Sequence, residues 1–234
     1  MEQSGIGVVV PFDFALDREL WRWLPDDVSL HITRMPFAPL PATLEMAVHI
    51  SDPALVAKGY DDVRAVSPSV MAYGCTSGSF IGGLDGQRAL VSAMVGAGAP
   101  AAVTTSGALL EALAHLEVRR VATATPYVAE LTVGLTAYLA EAGVEVVAAA
   151  GLGLTSHIWT VPYDVTAGLV RDTDTGDAQA VFISCTNLPT YDVIAGLERE
   201  LGKPVLTANQ VTLWSALRVL GRRPVGAGQL LAER

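Results

Sequence analysis

The chain has 234 residues, 51% of them hydrophobic and 17% charged, with a formal net charge of −9. Such a composition supplies a large core, excludes a disordered chain, and excludes nucleic acid as a partner, since phosphates call for clustered Lys and Arg. No apolar run reaches the roughly 18 residues of a membrane span, so no membrane partner is expected.

The length suits one large domain or two small ones. With only two cysteines the chain is no disulfide scaffold, and the opening residues lack the basic-then-apolar pattern of a secretory leader. A reducing cytoplasm is the expected compartment. Two Cys and four scattered His show no ligand spacing, so no metal is expected.

In chain order, residues 6–10 predict a short buried strand ending at Pro11, followed by a helix over 17–24 carrying Trp21 and Trp23. A second strand is expected over 28–33. Pro36, Pro39 and Pro41 make 35–43 a loop long enough to line a pocket or act as a lid. A helix over 53–66 leads to a strand that stops at Gly74-Cys75-Thr76-Ser77, with a helix over 82–96 beyond it. Residues 100–104 predict a fourth strand, and 106–115 a helix with Ala108, Leu109, Ala112 and Leu113 on one face.

A fifth strand over 119–125 ends at Pro126-Tyr127, then come a helix over 130–142 stopped by Gly143 and a sixth strand over 144–149. A Gly- and aromatic-rich loop over 151–163 holds His157. After a helix around 165–171, the strand Ala180-Val181-Phe182-Ile183 stops at Ser184-Cys185-Thr186-Asn187. A helix over 191–202, a strand over 204–207 and a helix over 211–220 complete the chain. Strands alternating with helices predict an α/β fold with parallel sheets.

The order repeats. Pro11 and Pro126 each end a strand 115 residues apart, Cys75 and Cys185 lie 110 apart, and Pro100 and Pro204 each open a strand and helix 104 apart. The last offset pairs Thr105 with Asn209. Two similar Rossmann-like halves are expected, related by a pseudo-two-fold with a cleft between them: residues 1–105 plus the C-terminal helix 208–234, and residues 106–207. Equivalent strand ends would then bring the thiols together, where α/β sheets bind ligands. A lone cysteine is more often a core filler, and the shared Cys-Thr context leaves the pair balanced between packing and chemistry.

The candidate donors around the thiols are the hydroxyls of Thr76, Ser77 and Thr186 and the amide of Asn187, which could form a nest for a carboxylate or an enediolate. Two facing thiols could move a proton across one carbon, or add to a double bond and handle the proton separately. One thiol would suffice to protonate a carbanion after decarboxylation.

Gly74-Cys75-Thr76-Ser77, Pro126-Tyr127 and Ser184-Cys185-Thr186-Asn187, with the 118–154 segment, resemble the aspartate/glutamate racemase superfamily over nearly the whole chain. The nearest branch holds maleate cis-trans isomerases, arylmalonate decarboxylases and ectoine-utilisation proteins. The resemblance implies two α/β halves, a central cleft, no cofactor or metal, and a small mono- or dicarboxylate substrate. It also implies catalytic roles for Cys75 and Cys185, with Pro11, Thr76, Ser77, Tyr127, His157, Thr186 and Asn187 around the substrate. Members that keep both cysteines are isomerases or racemases; decarboxylases have glycine at the first position. In an isomerase Cys75 would add to the double bond and Cys185 would handle the proton.

Three features depart from the isomerases. Thr76-Ser77 matches the decarboxylase pattern, Pro11-Phe12-Asp13-Phe14 stands where isomerases carry an asparagine shortly after the proline, and a second isomerase asparagine, in the loop after the sixth strand, is replaced near His157. The alternatives are therefore a decarboxylase using Cys185 as proton donor and a non-catalytic carboxylate-binding module. Self-association is expected only because many α/β proteins of this kind associate.

Overall fold

The computed structural model describes residues 4–232. The domain limits expected at residues 1 and 234 lie outside the described residues.

In the first part of the chain the elements are β1 (Ser4–Val10), α1 (Asp17–Trp21), β2 (Val28–Arg34), α2 (Leu44–Ile50), α3 (Pro53–Val63), β3 (Val70–Tyr73), α4 (Thr76–Phe80), α5 (Gly83–Gly96) and β4 (Ala102–Thr104). The second part continues with α6 (Thr105–His115), β5 (Arg120–Thr125), α7 (Ala129–Glu141), β6 (Glu145–Gly151), α8 (Tyr163–Thr173), β7 (Ala180–Ile183), α9 (Ile194–Leu201), β8 (Val205–Thr207) and α10 (Ala208–Val219). These form two four-stranded sheets, in the orders β2-β1-β3-β4 and β6-β5-β7-β8, with every pairing parallel. The α/β fold and its duplication are therefore observed.

The central strands β3 and β7 form where the sequence is continuously apolar. All four residues of β3 and of β7 are buried, as both faces of a parallel sheet are covered by helices. Helix starts are specified locally. Thr104 and Thr207 each close a short strand and then cap the next helix, accepting from the Gly107 and Gln210 N–H. Asp52 caps α3 with Pro53 in its first turn, and Gly202 ends α9 in the left-handed region at φ 66°.

The helices after the last strand of each sheet change sides. Leu213, Ala216 and Leu217 of α10 pack with Ile6, Val8, Val70 and Ala72 of the first sheet. Ala108, Leu109, Ala112 and Leu113 of α6 pack with Val121, Val181 and Phe182 of the second. Where α6 and α10 meet, the Thr105 and Thr212 hydroxyls share a buried hydrogen bond of 2.8 Å.

In each sheet the chain runs outward in one direction from the first strand (β1 to β2, β5 to β6) and then returns to its other side (β3, β7). The carboxyl ends of β1 and β3, and of β5 and β7, are therefore topological switch points, where open α/β sheets leave a crevice. Pro11 and Cys75 lie just beyond the first pair, Pro126 and Cys185 just beyond the second.

Several expectations need correction. The segment after the proline-rich loop contains α2, which the prolines hid although Met46, Ala47 and Ile50 carry a helical spacing and are buried. The helix expected over 53–66 ends at Val63 and tightens into a 3-10 turn over Arg64–Val66. The helix at 17–24 is only Asp17–Trp21, and the one expected from Tyr191 starts at Ile194. The repeat offset is also one shorter at the last helix pair. Capping threonines 104 and 207 are equivalent, 103 apart, so Asn209 matches Ser106 rather than Thr105. The extra residue lies in the first-half segment Ala101–Val103, which Val205-Leu206 replaces in the second.

Helix α3 lies tight on the first sheet. A methyl group on Gly59 would come within 2.5 Å of the Val9 Cβ. We expect Gly59→Ala to lower the unfolding free energy by about 1–3 kcal/mol through overpacking. The urea midpoint measures it, and an unchanged midpoint would show that the contact relaxes freely.

Candidate active site

The cavity between the two sheets is walled by residues from both halves. Pro11, Asp13 and Phe14 come from the turn after β1, Cys75, Thr76 and Ser77 from the turn after β3, Tyr127 from the turn after β5, and Cys185, Thr186 and Asn187 from the turn after β7. Ala42, Thr43, Met46, Ala47 and Ile50 of the proline-rich loop and α2 line it too, as do Leu131 and Ile158. Counted out to its mouth, the empty space is about 440 Å³. The Ala42 N–H donates to Thr155 O at 2.7 Å, which ties the proline-rich loop to the loop after β6.

Each cysteine turn is built around the other. The Cys185 N–H donates to Thr76 Oγ1 at 3.2 Å, and Thr186 Oγ1 donates to Gly74 O at 3.1 Å. A buried N–H or C=O left unpaired costs about 1–3 kcal/mol, so these cross-contacts hold the two turns in register. Behind them the α6 and α10 starts repeat one contact. Ser106 Oγ donates to Thr76 O at 3.1 Å, and Asn209 Nδ2 donates to Thr186 O at 2.9 Å.

Buried Glu19 braces the second turn. Its carboxylate accepts from the Thr190 N–H and hydroxyl at 3.0 and 2.8 Å and from Asn209 Nδ2 at 3.1 Å. Nothing in the sequence around Glu19 marks that role.

The thiols differ in surroundings. Cys75 caps α4, and the Gly78 N–H donates to its Sγ at 3.4 Å, with Ser77 Oγ at 3.7 Å. Gly78 is required there, because a methyl group would fall 2.1 Å from Tyr73 Oη, which donates to Ile50 O. Burial pushes the Cys75 thiol up; the Gly78 N–H and the Ser77 and Tyr73 hydroxyls oppose it, and the Asp13 charge adds to it. Cys185 has a left-handed backbone with φ 83°. Burial pushes its thiol up to about 12; the Asn187 N–H and the Tyr127 hydroxyl oppose this, while Cys75 and Asp13 add to it. Asp13 itself is raised, mainly by burial.

Tyr127 is buried, with its phenol well above the ordinary value through burial. Its Oη accepts from Ser184 Oγ at 3.2 Å, and its own O–H is left for the Cys185 thiol or a ligand. The Thr76 hydroxyl accepts from Cys185 N–H and keeps its proton for another partner. Asn187 is already committed, because Oδ1 accepts from the Ala15 N–H at 2.9 Å and Nδ2 donates to Asp13 O at 3.0 Å. Its side chain pins the turn after β1.

The structure thus brings Pro11, Cys75, Thr76, Ser77, Tyr127, Cys185, Thr186 and Asn187 to one cavity. It does not bring His157 there. That residue is exposed with φ 53°, its Nδ1 lies 3.0 Å from Ser156 Oγ, and its ring lies against Trp159. The left-handed turn sends the imidazole outward and leaves Ile158 facing the cavity. Sequence reasoning missed the α2 wall, Phe14 and Glu19. Among the described residues no group of three His, Cys, Asp or Glu side chains could hold a metal ion, and no helix is long and apolar enough to cross a membrane.

The family model described as arylmalonate decarboxylase matches residues 54–231. The chain belongs to this family. A maleate isomerase of Nocardia farcinica (strain IFM 10152) is 31% identical over 183 residues, covering 74% of this chain and 72% of that relative. An arylmalonate decarboxylase of Bordetella bronchiseptica is 36% identical over 167 residues, covering 68% and 69%. Among solved structures, a cysteine-to-serine mutant of the Nocardia farcinica maleate cis-trans isomerase, with a covalently bound succinylcysteine intermediate, has a TM-score of 0.88. It is 26% identical, covering 97% of this chain and 98% of that one. The family therefore joins the same α/β fold to cysteine-based enzymes of two named reactions. Membership in the arylmalonate decarboxylase family makes this chain an enzyme of that kind without choosing the reaction.

Both thiols should react slowly with iodoacetamide at pH 8, with rates rising as pH rises because only the thiolate attacks. Peptide mass spectrometry across pH 7–10 reads this; rapid, pH-independent modification of either would show that burial does not hold the thiols protonated.

Proposed function

We propose that the protein is a cis-trans isomerase of a small unsaturated carboxylate, using Cys75 and Cys185 without a cofactor or metal. The observation that carries this is the placement of both thiols on one cavity, each turn hydrogen-bonded to the other. A single thiol would be enough for a decarboxylase, and this cavity carries two.

In this reading the hydroxyls of Thr76, Ser77 and Tyr127 turn from their neighbours in the cavity to receive a substrate carboxylate. The Cys75 thiolate adds to one carbon of the double bond. The S–C bond forms, the π bond breaks, and its electron pair moves onto the neighbouring carbon and the carboxyl group conjugated to it, giving an enediolate. Hydrogen-bond donors aimed at those oxygens stabilise the developing charge. Rotation about the new single bond follows. Cys185, kept protonated by its burial, gives its proton to the carbanionic carbon and takes it back. The electron pair then reforms the double bond in the trans geometry and expels the Cys75 thiolate.

One observation favours a second reading. Met46, Ile50, Leu131 and Ile158 make much of the wall apolar, which suits expulsion of carbon dioxide from a malonate with Cys185 alone as acid. That reading predicts that Cys75→Ala still decarboxylates an arylmalonate.

Proton NMR of cis-unsaturated carboxylates in deuterated buffer tests the proposal by the appearance of trans product. Cys75→Ala should abolish turnover, and Cys185→Ala should lower kcat by about 10²–10⁴-fold, the usual worth of an acid-base group. Undiminished isomerisation by either variant would sink the two-thiol mechanism.

The raised Cys75 thiol fixes the sign of the pH dependence. Below its folded value, each pH unit multiplies the thiolate fraction by about ten. The kcat/KM profile should therefore climb from pH 6 towards pH 9, and a flat profile would show that thiolate formation is not part of the limiting step.

A further inference from the structure

Asp13 is the one ionisable carboxyl on the cavity wall, and the wall carries no Lys, Arg or His. The turn that presents it is fixed on several sides. Asp13 O accepts from Asn187 Nδ2 at 3.0 Å, the Phe14 N–H donates to Pro11 O at 3.2 Å, and the Ala15 N–H donates to Asn187 Oδ1 at 2.9 Å. Arg34 reaches the same turn, but its guanidinium is taken by Phe14 O at 3.0 Å and Asp17 at 2.6 Å. Among the described residues no cationic side chain forms an ion pair with Asp13. It lines the same cavity as both thiols.

A dicarboxylate in this cavity would have one group on the hydroxyls of Thr76, Ser77 and Tyr127. Its second carboxylate would share a small, largely apolar space with Asp13 and find no cation. Like charges brought together in such a space cost several kcal/mol. A neutral amide or hydroxyl at that end would donate a hydrogen bond to the Asp13 carboxylate instead, and such a charge-assisted bond is stronger than a neutral one.

We infer that Asp13 is a specificity-determining residue that admits substrates with one carboxylate and a neutral hydrogen-bond donor at the other end, such as a half-amide, and disfavours dicarboxylates. The inference deepens the isomerase reading by naming its substrate class, and rests on that reading only for which compound is turned over. The selection is made in binding. Discrimination of this kind comes from a repulsive element against the wrong ligand as much as from an attraction to the right one.

The test separates binding from reaction. Calorimetry measures Kd for succinate and for its half-amide succinamate, saturated compounds that have no double bond to isomerise. The wild type should bind succinamate at least ~10-fold more tightly, a conservative reading of that like-charge cost. Asp13→Asn should erase or invert the preference, and Asp13→Glu should retain it, which guards against a general loss of fold. Equal or tighter binding of succinate by the wild type, an unchanged ratio in Asp13→Asn, or no binding of either compound would overturn the inference. Isomerisation of maleamate and maleate is then followed separately by NMR. A retained binding preference without isomerisation would sink the isomerase reading and leave the role of Asp13 intact. Isomerisation of both compounds at equal kcat/KM with equal Kd would do the reverse.

Discussion

The site depends on one pair of contacts, in which the threonine after each cysteine supplies what the other cysteine turn lacks. Thr76 takes the Cys185 N–H, and the Thr186 hydroxyl takes Gly74 O. These groups lie at strand ends, where the ladder no longer supplies a partner and water is excluded. Each half alone would leave a buried polar group unpaired at the edge of its own sheet. The cleft is therefore more than a gap between two sheets. Its floor is a seam that both sheets need, and the helix starts at Ser106 and Asn209 hold it from behind with matching bonds.

The electrostatics of the cavity follow from that burial. Two thiols, a carboxyl and a phenol share one space with no cation on its wall, so every acid among them is pushed towards its protonated form. The two thiols and the phenol are then neutral at rest. A thiolate formed there is poorly solvated and correspondingly reactive, while its neighbour stays a proton donor. On the proposed mechanism, identical residues take opposite roles because Cys75 has the Gly78 N–H of α4 and the Ser77 hydroxyl, whereas Cys185 lies beside the Tyr127 hydroxyl and the Asn187 N–H.

Much of this was legible in the sequence, because the signals are local. Apolar runs that stop at Cys-Thr give the two central strands, and the repeated strand and helix opened by Pro100 and Pro204 give the crossing elements. Features that arise only on assembly were not legible. Glu19 lies in a short helix, and its partners Thr190 and Asn209 are distant in sequence. The α2 wall was masked by the three prolines before it. His157 was expected at the substrate on resemblance, and a single left-handed residue turned it away. The repeat was visible, but the equivalence of Asn209 needed the caps at Thr104 and Thr207 to correct it by one residue. Asp13 was visible only as a departure, and its position on a cation-free wall gives it meaning.

The backbone at Cys185 carries a consequence of its own. A φ of 83° is a conformation that glycine adopts freely and a side chain resists, at a cost of order 1–3 kcal/mol. The thiol therefore occupies a position where the chain, judged on folding alone, would be better served by glycine. On the proposed mechanism, selection for thermal robustness and selection for turnover pull in opposite directions at this residue. A lineage released from the second pressure would be expected to shed the thiol here while keeping the surrounding scaffold intact.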